Sequence, residues 1–363
     1  MTEHWVAVLG QRDVPTDGVE EYCSYLGAAL SKHDIELSLI RVPWAKVGWQ
    51  EALTQLAQQI RPLRPTWALI QYTALGWSRR GFPLKVIRMV REVKKNGARC
   101  ALVFHDPTPY PGRRSADRVR RQVQLYVMRR AARLADFSVL TIPAEGVRWM
   151  PREVRNSAFI PVGANLPSPE TVWQLHKNKR DLPTVAVFSI TGGAPGKIEV
   201  ARIAEALRVV SKEIGRVRLL VFGRNADTDG KTLRDRLAGT QTEVVIQGLL
   251  KPEEIAEALG RSDASLFVRG PISTRRGTAL AGIACGLPVI AWKGPETAGP
   301  IEEAGVVLVP ENEGSGFGRA LIQVLRDEAY RRSLQERSER AQTRYFSWDA
   351  IAAGYVRALR SSS

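Results

Sequence analysis

Cysteine and histidine are scarce in this 363-residue chain, with three of the former and four of the latter. Cys23, Cys100 and Cys285 are odd in number, far apart and set among apolar residues. They read as reduced core residues of a cytoplasmic protein, not as a disulfide framework or a metal site. Long apolar runs are missing too, and nothing approaches the roughly 18–20 residues that a membrane-spanning helix needs. The opening HWVAVLG has neither a basic segment nor an extended apolar core, so a first strand is expected there rather than a signal peptide. Aromatic residues make up 7% of the chain. They are not interleaved with the basic stretches, which argues against a base-stacking platform for nucleic acid.

Acidic residues are short in one region above all. Residues 79–133 carry sixteen Lys and Arg against three acids, and most of the chain's net charge of +16 resides there. So basic a stretch predicts an anionic partner: an acidic membrane surface at the inner face of the membrane, or a phosphorylated substrate. The plain alternative is a solvated helix surface.

Apolar strand patterns at 5–9, 36–40, 67–71, 100–104, 137–141 and 158–160 alternate with helical patterns such as 19–31, 50–60, 84–95 and 116–134. The same alternation returns at 184–188, 218–222, 243–246, 264–268, 288–291 and 306–309. Alternating strand and helix predicts an α/β protein with parallel sheets covered on both faces. Periodicity breaks at 162–183, where Pro, Asn and Lys cluster. The expected organisation is an N-terminal domain over 1–165, a linker over 166–183 and a C-terminal domain over 184–345. The last helix, within 346–363, carries an apolar stripe (Trp348, Ile351, Ala352, Tyr355, Leu359) that needs a groove to lie in.

Several strand-to-helix junctions carry candidate chemistry. In STRRGTALAGIACGLPVIAW, Arg275 and Arg276 stand before a helix that begins at Gly277 and Thr278, where unpaired backbone N–H groups suit phosphate. In SITGGAPGKIEV a glycine loop and Lys197 follow a buried strand. The spacing is not that of a nucleotide-triphosphate loop, because Thr191 stands where the first glycine belongs and Ile198 where the metal-binding hydroxyl belongs. A loop that lays its amides and one lysine on a diphosphate remains possible, as does a plain connection. In LVFHDPTPYPG a buried strand delivers His105 and Asp106 at its carboxyl end. Asp17, Gly18 and Glu20 open the first helix, where capping is a sufficient explanation for the acids. Asp227 and Asp229 form an acid–x–acid pattern best read as a turn ending at Gly230, and no metal site is expected.

These segments together resemble the retaining, nucleotide-sugar-dependent glycosyltransferases of family-4 type. DGVEEYCSYLGAALSKHDIEL is similar to that family's glycine loop and first helix, and LVFHD to its histidine strand. ALAGIACGLPVIA is similar to its EAMACGTPVIA segment, and FSWDAIAAGYVRAL to its terminal Trp helix. The resemblance implies the GT-B fold: two doubly wound, Rossmann-like domains facing a cleft, with the C-terminal helix crossing back to the N-terminal domain. It implies a nucleotide-diphosphate sugar as donor substrate, a saccharide or lipid-linked acceptor, and no metal or other cofactor. It places His105 in the catalytic cleft, Gly18 near the donor phosphates or the acceptor, and Asp106 and Glu20 on the acceptor side. Lys197 would pair with the diphosphate, Gln247, Gly248 and Leu249 would contact the base, and Gly277 and Thr278 would offer amides.

The family's paired glutamates, eight positions apart, fall here on Ser273 and Ala281, and the arginine before its C-domain lysine has no counterpart in VFSIT. Arg275 and Arg276 are the expected replacements for that charge. Two further readings stay open: a catalytically inactive GT-B scaffold that binds nucleotide or glycan, and a nucleotide-sugar epimerase of the same fold.

Overall fold

The structure is a computed structural model that describes residues 2–13, 16–110, 112, 114–177, 181–297, 299–311, 313 and 315–362. Parts of the segments singled out above, at 14–15, 111, 113 and 178–180, lie outside the described residues. The chain divides into two compact units, the first made of Met1–Val162 and Trp348–Ser363, the second of Gly163–Ser347.

The first unit is built on a parallel sheet of β1 (Glu3–Leu9), β2 (Ile35–Arg41), β3 (Trp67–Tyr72), β4 (Arg99–Phe104), β5 (Phe137–Leu140) and β6 (Ser157–Phe159). The strand order is β2-β1-β3-β4-β5-β6. Its helices are α1 (Gly18–Leu30), α2 (Trp44–Val47), α3 (Trp49–Leu63), α4 (Val86–Lys95) and α5 (Ser115–Leu134). Every residue of β3 is buried, as expected of a central parallel strand covered on both faces. In α4, Val86, Met89, Val90 and Val93 recur at helical spacing and point into the core, which leaves Arg88, Arg91, Lys94 and Lys95 outside.

The second unit repeats the plan with β7 (Thr184–Phe188), β8 (Val217–Phe222), β9 (Thr242–Gly248), β10 (Ala264–Pro271), β11 (Val289–Trp292) and β12 (Val306–Val309). Their order is β12-β11-β10-β7-β8-β9, and all pairs are parallel. The connecting helices are α6 (Gly193–Ile214), α7 (Ala226–Arg236), α8 (Pro252–Gly260), α9 (Gly277–Ala284), α10 (Pro300–Glu303), α11 (Gly316–Arg326) and α12 (Glu328–Ala341).

The chain then returns to the first unit as α13 (Trp348–Arg360). Its groove is the outer face of α1. Ile351, Ala352, Tyr355 and Leu359 are buried, Trp348 stacks on Tyr25 with ring centroids 5.4 Å apart, and the Tyr22 and Tyr355 hydroxyls meet at 2.9 Å.

Two expectations are corrected. Residues 227–230 are not a turn: α7 runs straight through them. Gly230 lies against β9, where a Cβ would come within 2.8 Å of the Ile246 side chain, so this glycine permits helix-to-sheet packing instead of ending a turn. The stretch expected as a linker is largely a packed part of the second unit. Pro169–Lys177 winds as 3-10 turns, Val172 joins the apolar cluster under α8 and α9, and Trp173 Nε1 donates to the Ala284 carbonyl at 2.8 Å.

Removing one hydroxyl of the Tyr22–Tyr355 pair leaves the other buried without its partner, which costs about 1–3 kcal/mol. In chemical denaturation Tyr22→Phe and Tyr355→Phe should each destabilise the protein. The double variant should lose clearly less than the sum of the two.

Candidate functional site

In the second unit the strand order reverses between β7 and β10. Parallel sheets hold ligands outside the carboxyl ends of their strands at such a reversal. The two strands pair in register only through Ala264–Val185 and Ser265–Ala186, so beyond these pairs their carboxyl ends are not paired with each other. On the other side of β10, its register with β11 shifts between Phe267 and Pro271. The bulge so formed holds Val268, Arg269 and Gly270, and bulges of this kind re-aim side chains. Arg269 Nε donates to Thr191 Oγ1 at 3.2 Å, so the bond crosses the reversal itself.

The loop after β7 is held in one shape. Thr191 N donates to the buried Glu199 carboxylate at 2.8 Å. A Cβ on Gly196 would come within 1.9 Å of the Thr191 carbonyl oxygen, so only glycine allows α6 to start this close to the loop. Ser189 and Asn225 both adopt left-handed backbone, with φ of 64° and 61°. They tie the β7 and β8 tips together: Arg224 N donates to Ser189 Oγ at 3.1 Å, and Asn225 Nδ2 donates to the Ile190 carbonyl at 2.8 Å. Left-handed non-glycine residues cost on the order of 1–3 kcal/mol each and persist only where the surroundings hold them. Burial holds the Arg269 pKa below its ordinary value; Glu199 opposes that shift and Arg224 adds to it.

The other expected donor residues lie at the same edge of this sheet. Lys197 is exposed, one turn into α6. Gln247 and Gly248 end β9 and Leu249 follows it, with Gly248 at φ 65° and its carbonyl accepting from Gly223 N at 2.7 Å. Gly277 and Thr278 form the first turn of α9, and nothing within 4 Å would meet a Cβ on Gly277. Arg275 departs from expectation. Its Nε and Nη2 donate to the two carboxylate oxygens of Glu296 at 2.9 and 3.2 Å, so its planar fork already has an anion. Arg276 is the residue before the α9 helix and is half-buried. Ser273 and Ala281, where the resemblance places glutamates, are both buried, and Ala281 belongs to the apolar cluster around Leu259 and Leu287.

In the first unit, His105 follows β4. Its ring lies 2.8 Å from Gln71 Oε1 through Nε2, and Gln71 Nε2 donates to the Leu69 carbonyl. The amide oxygen can only accept, so Nε2 carries the proton and Nδ1 is the basic nitrogen. Burial lowers the His105 pKa to about 4, with Asp17 pulling weakly the other way. The imidazole is therefore neutral at pH 7, edge-on to the Tyr22 ring at 4.9 Å. Asp106 is half-buried beside it. Gly18 opens α1 behind the cap Asp17, whose carboxylate accepts from Val19 N and Glu20 N. Glu20, expected on the acceptor side, is committed instead to Arg41 at 2.9 Å and Arg12 at 3.5 Å. Arg41 also holds Asp17 at 3.0 Å, which makes this corner an ion-paired start for α1.

Thr191, Glu199, Arg224 and Arg269 escaped the motif reading. The signal available for Arg269 was a lone cation placed directly after the buried apolar run 264–268.

These two Rossmann-like units define the GT-B fold. Residues 187–327 match the profile of the family described as Glycosyl transferases group 1. Among solved structures, sucrose-phosphate synthase from Thermosynechococcus elongatus is similar at a TM-score of 0.69 and 17% identity, covering 99% of this chain and 98% of its own. Anabaena Alr3699/HepE in complex with UDP and glucose is similar at 0.67 and 14%, covering 99% and 100%. A UDP-forming alpha,alpha-trehalose-phosphate synthase from Burkholderia xenovorans is similar at 0.68 and 13%, covering 100% and 99%. No curated protein matches the chain in sequence.

Because the folded pKa of His105 lies below the ~6.5 of an unfolded histidine, its neutral form stabilises the fold fully above pH 6.5. That contribution declines as the pH falls toward 4. Imidazole NMR should show a neutral Nε2–H ring at pH 7 that protonates only near the low end of this window. A midpoint at pH 6 or above would contradict the environment described.

Proposed function

We propose that this protein is a glycosyltransferase that moves a sugar from a nucleoside diphosphate onto a saccharide or lipid-linked acceptor, with retention at the transferred carbon. The observation that carries this is the family match over residues 187–327, which runs from the tip of β7 through its loop, α6 and β10 to the end of α11. The Anabaena structure, solved with UDP and glucose, supports a uridine donor as the first to try. When the sugar–phosphate bond breaks, its electron pair stays with the diphosphate, and pre-placed cations and helix N–H groups stabilise that charge. Lys197 and the first turns of α6 and α9 are suited to this work, so no metal is assigned to the reaction. Gln247, Gly248 and Leu249 are assigned to the base. The first unit is assigned the acceptor, with neutral His105 and Asp106 at the end of β4.

One observation favours a non-catalytic binder of the same ligands: Ser273 and Ala281 are buried and bring no carboxylate to the site. Melting temperatures with UDP, GDP, ADP and their glucose conjugates at matched ionic strength separate the cases. A rise with one nucleotide, larger with its sugar attached and followed by sugar transfer or donor hydrolysis, is the expected result. Stabilisation without turnover would make the protein a scaffold, and a flat panel would remove the donor site altogether.

The basic region of the first unit is assigned to an anionic membrane. On α4 and α5, Arg88, Arg91, Arg118, Arg121 and Arg130 are exposed and have no carboxylate partner among the described residues. Val119 and Tyr126, seven residues apart on α5, are 58% and 57% exposed. Cations around apolar and aromatic side chains suit a headgroup layer. No helix among the described residues is long and apolar enough to cross a membrane. Sedimentation with phosphatidylglycerol vesicles should capture the protein at low salt and release it at about 0.5 M salt, where screening is strong. Neutral vesicles should not capture it.

A further inference from the structure

We propose that Arg269 is the side chain that grips the donor diphosphate in this protein, in place of Arg275 at the α9 entrance. This rests on the donor site proposed above and names its principal cation.

Arg269 stands where the strand order reverses, lifted out of the β10 ladder by the bulge at 268–270 and joined to the β7 loop through Thr191. Only its Nε is spoken for. Among the described residues no carboxylate lies within ion-pair distance of its guanidinium, and the second edge of its fork has no protein acceptor. A partly desolvated guanidinium without a paired anion is costly unless a ligand supplies one. Glu199 acts on it only at a distance, because its carboxylate accepts from the Thr191 amide and makes no ion pair with the guanidinium. Arg275 shows the contrasting case, a fork closed by Glu296 on both oxygens.

The supporting frame is rigid in the way a phosphate clamp requires. Ser189, Ile190 and Thr191 are pinned to Arg224, Asn225 and Glu199 by hydrogen bonds of 2.8–3.1 Å. Thr191 therefore acts as a resting partner that holds the Arg269 fork in orientation with its other N–H groups presented. Two phosphate oxygens can take that edge in the bidentate geometry that guanidinium favours.

The test uses calorimetry on the full chain with the nucleoside diphosphate that stabilises the wild type, its parent nucleoside, and inorganic pyrophosphate. Arg269→Gln should lose roughly ten- to hundredfold in affinity for the diphosphate and for pyrophosphate, with nucleoside binding kept. Arg269→Lys keeps the charge without the fork and should fall between the two. Arg218→Gln removes the same charge from the opposite end of β8, where Arg218 pairs with Glu243, and should leave all three affinities unchanged. Each variant is checked for an unaltered melting temperature without ligand; if Arg269→Gln does not fold, Arg269→Lys alone decides. Wild-type affinity in the Arg269 variants would overturn the assignment while leaving the donor site standing. Failure of the wild type to bind any of the diphosphates would overturn both.

Discussion

In a parallel sheet all strands end at one edge, and where their order reverses the two connecting loops leave in opposite directions. The gap between them belongs to neither loop, and it is lined by backbone groups that the ladder no longer pairs. In the second unit this constraint falls between β7 and β10. The buried Glu199, the glycine at 196, the left-handed residues at 189 and 225 and the bulge in β10 all serve to shape that gap. In the first unit the reversal lies between β1 and β3, and there it is closed by the chain itself. Gln11 N donates to the Gly76 carbonyl at 2.8 Å, and Trp44 Nε1 bonds the same oxygen. The same architecture therefore yields one reversal bridged by a side-chain pair, Arg269 and Thr191, and one sealed through a backbone carbonyl.

What could be read from the sequence followed from local pattern. The apolar runs at 67–71 and 264–268 announced buried strands because parallel strands need apolar residues on both faces. The stripe on the last helix announced a burial partner, which proved to be α1. The place of His105 at a strand tip was legible because the apolar run 100–104 ends just before it. What escaped depends on residues brought together from far apart. Glu296 claims Arg275 across 21 positions, and Thr191 meets Arg269 across 78. Neither pairing leaves a local periodic mark. The turn expected at 227–230 failed for a related reason, since Gly230 is required by a neighbour on β9 and not by its own backbone.

Charge is distributed here in three physically different ways. Arg275 is half-buried and paired, so it contributes order to the α9 entrance and little net attraction for a ligand. Arg269 is partly desolvated and, among the described residues, has no carboxylate in direct ion-pair contact, which makes its environment sensitive to any anion that arrives. Arg88, Arg91, Arg118, Arg121 and Arg130 on α4 and α5 are well hydrated, so their combined field reaches about 8–10 Å at ordinary salt but each contributes weakly. A single count of net charge cannot separate these roles; burial and pairing do.

The first unit is discontinuous, with residues 163–347 inserted before its last helix is made. During synthesis the outer face of α1, with Tyr22 at its centre, must wait for α13 to emerge. At about 5–20 residues per second, the intervening segment takes on the order of ten to forty seconds to translate. The second unit, contiguous in sequence, can close in that interval. The second unit is thus free to mature first, while the first unit is the last to be finished and the more exposed to misassembly as it emerges.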